Sequence, residues 1–113
     1  MKIDFEVEYL EEAIDFLKML DPQVRKKIAL NIEKARLGID DELLKKLTGP
    51  IWEFRTFYAK KKYRLLCFWD TRERTLIIAT NGFVKKTQKT HAREIERAEA
   101  LRKKYMNEKY GEK

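Results

Sequence analysis

The feature that constrains the fold most is a succession of three apolar stretches separated by short polar joints. Trp52 to Phe57, Tyr63 to Asp70 and Thr75 to Asn81 are rich in aromatic and aliphatic side chains, and only Ala59-Lys60-Lys61-Lys62 and Thr71-Arg72-Glu73-Arg74 set them apart as turns. Joints this short call for consecutive antiparallel strands. In the middle stretch Leu65, Cys67 and Trp69 alternate with Leu66 and Phe68, so both faces of the strand are apolar. Such a sheet has to be covered on both sides.

The flanks supply the cover. Ile3, Phe5 and Val7 alternate with Asp4, Glu6 and Glu8 as a short strand. Leu10, Ala13, Ile14, Leu17 and Leu20 then recur at helical spacing. Asp21-Pro22 closes that helix and opens a second as N-cap and first helical residue, with Val24, Ile28, Ile32, Ala35 and Ile39 as its stripe and Gly38 as its C-cap. The short connection makes the two helices an antiparallel hairpin. Asp40-Asp41-Glu42 starts a further turn or two of helix with Leu43, Leu44 and Leu47 on its apolar side, stopped by Gly49-Pro50. A last helix runs from Thr90 or His91 to about Tyr105, and Met106 to Lys113 reads as a polar, frayed tail. The order β-α-α-β-β-β-α makes an α+β domain: a small, mostly antiparallel sheet packed against an N-terminal helical hairpin, with a C-terminal helix.

At 113 residues the chain is expected to form one domain that buries roughly 65% of its unfolded surface. It has no Ser, one Cys and one His, which excludes a catalytic serine, an intrachain disulfide and a structural zinc site built from these residues. The N-terminus is acidic and alternating, unlike a signal peptide, and no apolar run is long enough to span a membrane, so a cytoplasmic location is expected. Residues 1–50 carry a net charge of −2 and residues 51–113 one of +9. All the excess positive charge therefore sits in the second half, which suits either a polyanionic partner such as nucleic acid or a lysine-rich solubilising surface.

Two groups of residues could carry chemistry. Alternation along Trp52-Glu53-Phe54-Arg55 puts Glu53 and Arg55 on one face, and Arg64 lies in the next strand. Paired with Glu53 these arginines are a cross-strand ion pair; unpaired they are rigidly mounted guanidinia able to grip a phosphate bidentately. The second group is Gly82-Phe83-Val84-Lys85-Lys86-Thr87-Gln88-Lys89-Thr90, read as the passage from the last strand into the last helix. Backbone N–H groups at a helix start favour anions, and Lys85, Lys86 and Lys89 surround that point. Tyr58 and Tyr63 flank the basic Lys60-Lys61-Lys62 turn and could stack on bases. Cys67 reads as a core hydrophobe, and His91 as an exposed residue of the first helical turn.

Taken together, Lys46-Leu47-Thr48-Gly49-Pro50-Ile51-Trp52-Glu53-Phe54-Arg55, Tyr63-Arg64-Leu65-Leu66, Gly82 through Thr90 and Arg93-Glu94-Ile95-Glu96-Arg97-Ala98 resemble the HigB-like, phage-derived branch of the RelE/ParE toxin superfamily. Phe83-Val84-Lys85-Lys86-Thr87-Gln88-Lys89-Thr90 is the most specific part. The resemblance implies the toxin of a type II toxin–antitoxin pair, a RelE-like fold, and ribosome-dependent cleavage of messenger RNA without metal or other cofactor. The 2′-hydroxyl attacks the adjacent phosphate, and positioning and positive charge carry the catalysis. Carried over by motif, Arg55 and Arg64 hold the scissile phosphate, Lys85 or Lys86 stabilises the transition state or leaving oxygen, and Glu53 is either a base or an orienting group. Lys60, Lys61, Lys62, Tyr63 and Lys89 are the expected RNA contacts. His91 stands where many relatives have Pro, as a neutral replacement or an added proton carrier. The implied partners are the ribosome, mRNA and an antitoxin, usually a helix-turn-helix protein encoded beside the toxin; no membrane is involved. Two alternatives stay open: a ParE-like inhibitor of DNA gyrase that does no chemistry, and an inactive toxin kept as corepressor with its antitoxin.

Overall fold

The computed structural model describes residues 4–86 and 91–111. Its centre is the three-stranded meander: β3 (Ile51–Tyr58), β4 (Lys61–Trp69) and β5 (Leu76–Lys85), antiparallel in sequence order. The joint between β3 and β4 tightens to Ala59-Lys60, both with positive φ (51° and 65°), the backbone that a two-residue hairpin needs. Lys61 and Lys62 thereby become strand residues paired with Tyr58 and Phe57.

β1 (Glu6–Tyr9) pairs parallel with β5, and β2 (Leu44–Thr48) antiparallel with β3, giving the order β1-β5-β4-β3-β2. β2 corrects the sequence reading. Only Asp41–Leu43 makes a helical turn, of the 3-10 type, and Leu44 onward is strand. Gly49, with φ +54°, helps turn the chain from β2 into β3 rather than ending a helix.

Alternation along the strands produces the two cores. On one face Phe54, Tyr63, Leu65, Cys67, Ile77 and Ala79 meet α1 (Glu11–Lys18) and α2 (Pro22–Arg36) through Ala13, Phe16, Leu17, Val24, Ile28 and Ile32. Asp21 caps α2 as the sequence suggests, accepting from Gln23 N–H at 2.9 Å, and Gly38 (φ 71°) ends it, with Gly38 N–H donating to Ala35 O and Ile39 N–H to Lys34 O. On the other face Ile51, Leu66, Phe68, Leu76 and Ile78 meet Ala98 and Met106 of α3 (Ala92–Tyr110).

α3 runs to Tyr110, so residues 106–110 are helix rather than a frayed tail. The reason is Asp70, whose side chain is fully buried at the end of β4. Its carboxylate accepts from the backbone N–H groups of Arg72 and Glu73 at 2.8 and 2.9 Å, from the Tyr105 and Tyr110 hydroxyls, and from Lys109 Nζ at 3.2 Å. Burial alone would raise its pKa, but these donors outweigh burial and hold it well below the usual carboxylate range. The C-terminal turn of α3 is thus bolted to the β4–β5 connection.

Candidate functional site

At the opposite end of the α3-covered face the apolar core gives way to polar residues. β4 and β5 are out of step between Leu65 and Cys67, where Leu65 pairs with Gly82 but Cys67 with Ala79. β5 thus carries one extra residue, a bulge around Thr80 and Asn81. The bulge reverses the alternation, turning Phe83 and Lys85 to the α3 side and Gly82 and Val84 to the other. Asn81 Nδ2 donates to the backbone oxygen and to Oε1 of Glu94, both at 3.1 Å, fixing the first turn of α3 against β5. Gly82 meets the Phe16 ring so closely that a Cβ there would collide with it.

Register then assembles a small grid. One row holds Arg55, Arg64 and Phe83 across β3, β4 and β5; the next holds Phe57, Lys62 and Lys85. Arg55 and Arg64 are direct cross-strand partners, an arrangement that is unfavourable unless a counter-charge intervenes. Glu53, two residues before Arg55 on the same face, provides it. Its Oε1 lies 3.4 Å from Arg64 Nε and its Oε2 3.8 Å from Arg55 Nε. Glu42, from the 3-10 turn, adds Oε1 at 3.7 Å from Arg55 Nη1.

The two guanidinia differ in access. The Arg55 side chain is 37% exposed and the Arg64 side chain 6%. Arg64 also donates from Nη1 to the Tyr63 carbonyl at 3.2 Å. Burial lowers its pKa and the neighbouring Arg55 adds to this, while Glu53 works in the other direction. A guanidinium this deeply buried has lost most of its hydration, so its attraction for an arriving anion is stronger than at the open surface.

The family model described as phage-derived protein Gp49-like (DUF891) matches residues 15–103. The chain belongs to the phage-derived Gp49-like family. Its fold is that of a chain in the toxin–antitoxin complex RelBE2 from Mycobacterium tuberculosis, with a TM-score of 0.53 and 20% identity over 75% of this chain and 95% of that one. No curated protein matches the sequence. The RelE-like architecture expected from the sequence is therefore the one observed.

In this Gp49-like chain the structure brings together Glu53, Arg55, Arg64, Lys62 and Lys85 on one face. Lys86 follows directly after β5 and is exposed, and Lys60 sits at the exposed hairpin tip. Lys85, expected in a loop, is the last residue of β5. Besides Lys60 at the hairpin tip, two further expected RNA contacts are not part of the grid. Tyr63 is 6% exposed and packs in the core beneath α1 and α2, because alternation sends it to the face opposite Arg64. Lys61 shares Tyr63's parity. Tyr58 likewise packs against that core. Lys89 lies outside the described residues.

Three participants carry no clear signal in the sequence. Glu42 reads there only as acid at a helix start, and Asn81 only as the end of a strand. Phe57, 63% exposed, stands in the cationic row beside Lys62. Its one signal is its parity with Arg55. His91 is the N-terminal flank of α3, and its ring centroid lies 4.5 Å from that of Phe83. Its Nε2 is buried with no partner among the described residues.

Proposed function

We propose that this protein is the toxin of a toxin–antitoxin system and cleaves messenger RNA on the ribosome. The observation that carries the reading is the in-register Arg55–Arg64 pair on rigid strands, bridged by the carboxylate of Glu53, with Glu42 beside Arg55, and bordered by Lys62 and Lys85. Four cations on one face outnumber the two carboxylates, Glu53 and Glu42, that reach them, so the face keeps a positive excess that attracts a polyanion. The fold it shares with a chain of a toxin–antitoxin complex supports the same reading.

The chemistry that suits this face is attack of a ribose 2′-hydroxyl on its own 3′-phosphate, giving a 2′,3′-cyclic phosphate and a free 5′-hydroxyl. Arg55, the accessible guanidinium, takes a non-bridging oxygen first. Arg64 behind it stabilises the charge that builds on the pentavalent phosphorus. The 2′-hydroxyl gives up its proton to water, and Lys85 or Lys86 neutralises the departing 5′-oxygen by protonating it, then regains a proton from water. Glu53 spans both arginines, the position of a group that orients them rather than one that collects the 2′-hydroxyl proton. Ordering of the RNA by the ribosome supplies the remaining alignment. An antitoxin, encoded beside the toxin and of helix-turn-helix type, restrains the protein in its host.

Brief expression followed by mapping of mRNA 5′ ends tests the reading. Cuts within translated frames support it. Intact messages accompanied by DNA damage would show instead a gyrase poison, and intact messages without damage a corepressor.

A further inference from the structure

Phe57 is out of place for a residue of purely architectural purpose. It lies on β3, shares its face with Arg55 by alternation, and is 63% exposed. β2 pairs with β3 no further than Phe54, and Phe57 takes no part in either apolar core. The other aromatics near the cationic face are occupied. Phe83 is packed against the α3-side core and carries the His91 ring, while Tyr58 and Tyr63 belong to the opposite face. Phe57 is thus the one ring among these four that presents itself openly, with Arg55 beside it along the strand and Lys62 opposite.

An apolar protein surface docking on this ring would strip water from the part-exposed Arg55 and from Lys62 without offering either a new counter-charge, which is costly. A nucleotide satisfies both kinds of group at once, its base against the ring and its phosphate against the cations. We propose that Phe57 is a stacking platform for a nucleobase of single-stranded RNA, setting the phosphate of that nucleotide on Arg55. The proposal rests on the RNA-cleavage reading and adds to it a binding subsite that tolerates any base, because every base offers a π face.

The test compares Phe57→Ala, Phe57→Leu and Phe57→Tyr in ribosome-dependent cleavage, with far-UV circular dichroism and thermal melting as fold controls. Phe57→Ala should raise KM for the mRNA-programmed ribosome about 5- to 150-fold with a much smaller change in kcat, Phe57→Leu should behave like Phe57→Ala, and Phe57→Tyr should recover most of the loss. A second measurement needs no cleavage: quenching of a single-stranded oligoribonucleotide carrying 2-aminopurine, expected with wild type and Phe57→Tyr and lost with Phe57→Ala. Cleavage by Phe57→Ala with wild-type KM overturns the platform while leaving the nuclease standing. Phe57→Leu matching wild type overturns stacking. Weakened antitoxin binding with unaltered cleavage assigns the ring to the antitoxin instead. If wild type cuts no RNA, the nuclease reading falls, and the quenching assay alone decides whether Phe57 meets a base; equal quenching by wild type and Phe57→Ala, or none by wild type, overturns the proposal.

Discussion

Replacing Glu53 with Gln keeps its shape and removes the charge that separates two arginines paired across β3 and β4. The carboxylate sits 3.4 Å from Arg64 and 3.8 Å from Arg55. At an effective dielectric of about 20, each attraction is worth about 4 to 5 kcal/mol before the desolvation of the carboxylate is set against it. With Glu53 only 14% exposed, that offset is large, and a net destabilisation of about 2 to 4 kcal/mol remains. For a chain of this size, this corresponds to a fall in Tm of about 8 to 16 °C, read by circular dichroism. Arg55→Met relieves the repulsion, so Glu53→Gln should cost at least about 1 kcal/mol less in that background. Added salt should narrow the difference further. On activity, a positioning role predicts a lower kcat with an unchanged shape of the pH–rate profile. Melting within about 2 °C of wild type would refute the electrostatic argument. Loss of the limb of the pH profile that reports a base would make Glu53 that base.

Asp70→Ala strips the acceptor from five donors at the end of α3 and should destabilise the fold by about 3 to 5 kcal/mol in urea titrations. Because the folded-state pKa of Asp70 is depressed, its contribution is full above about pH 4 and is lost as the pH falls below that, so wild type and variant should converge in acid. Gly82→Ala drives a methyl group into the Phe16 ring and should cost about 1 to 3 kcal/mol, a penalty that Phe16→Leu partly relieves in a double-mutant cycle.

Much of the architecture is legible in local patterns. The alternation in 52–57 and 63–70 places Glu53 and Arg55 together and separates Leu65 from Leu66, as observed. Asp21-Pro22 and Gly38 mark the limits of α2 through their own backbone chemistry. The features that escape such patterns are set by distant partners. Leu43, Leu44 and Leu47 suit one face of a short helix, and only the pairing of 44–48 with β3 makes a strand of them. The last turns of α3 look polar, yet the buried Asp70 gives Tyr105, Lys109 and Tyr110 something to bind. The β5 bulge has no local signature either, and without it Val84 rather than Lys85 would face the site. Tyr63 misleads a sequence reading because nearness to lysines in sequence is not nearness on a pleated sheet. Phe57 escapes for the mirror-image reason, since its parity with Arg55 outweighs its aromatic character.

The central claim is that the Arg55–Arg64 pair does the work of RNA cleavage. Its most direct test is primer-extension mapping of a defined mRNA on purified ribosomes treated with wild type, Arg55→Ala or Arg64→Lys, each confirmed as folded. Wild type should cut the message on the ribosome and leave naked RNA largely intact, and each variant should fall about 100- to 1,000-fold in rate. Full cleavage by both variants, or none by wild type on translating ribosomes, would contradict the account.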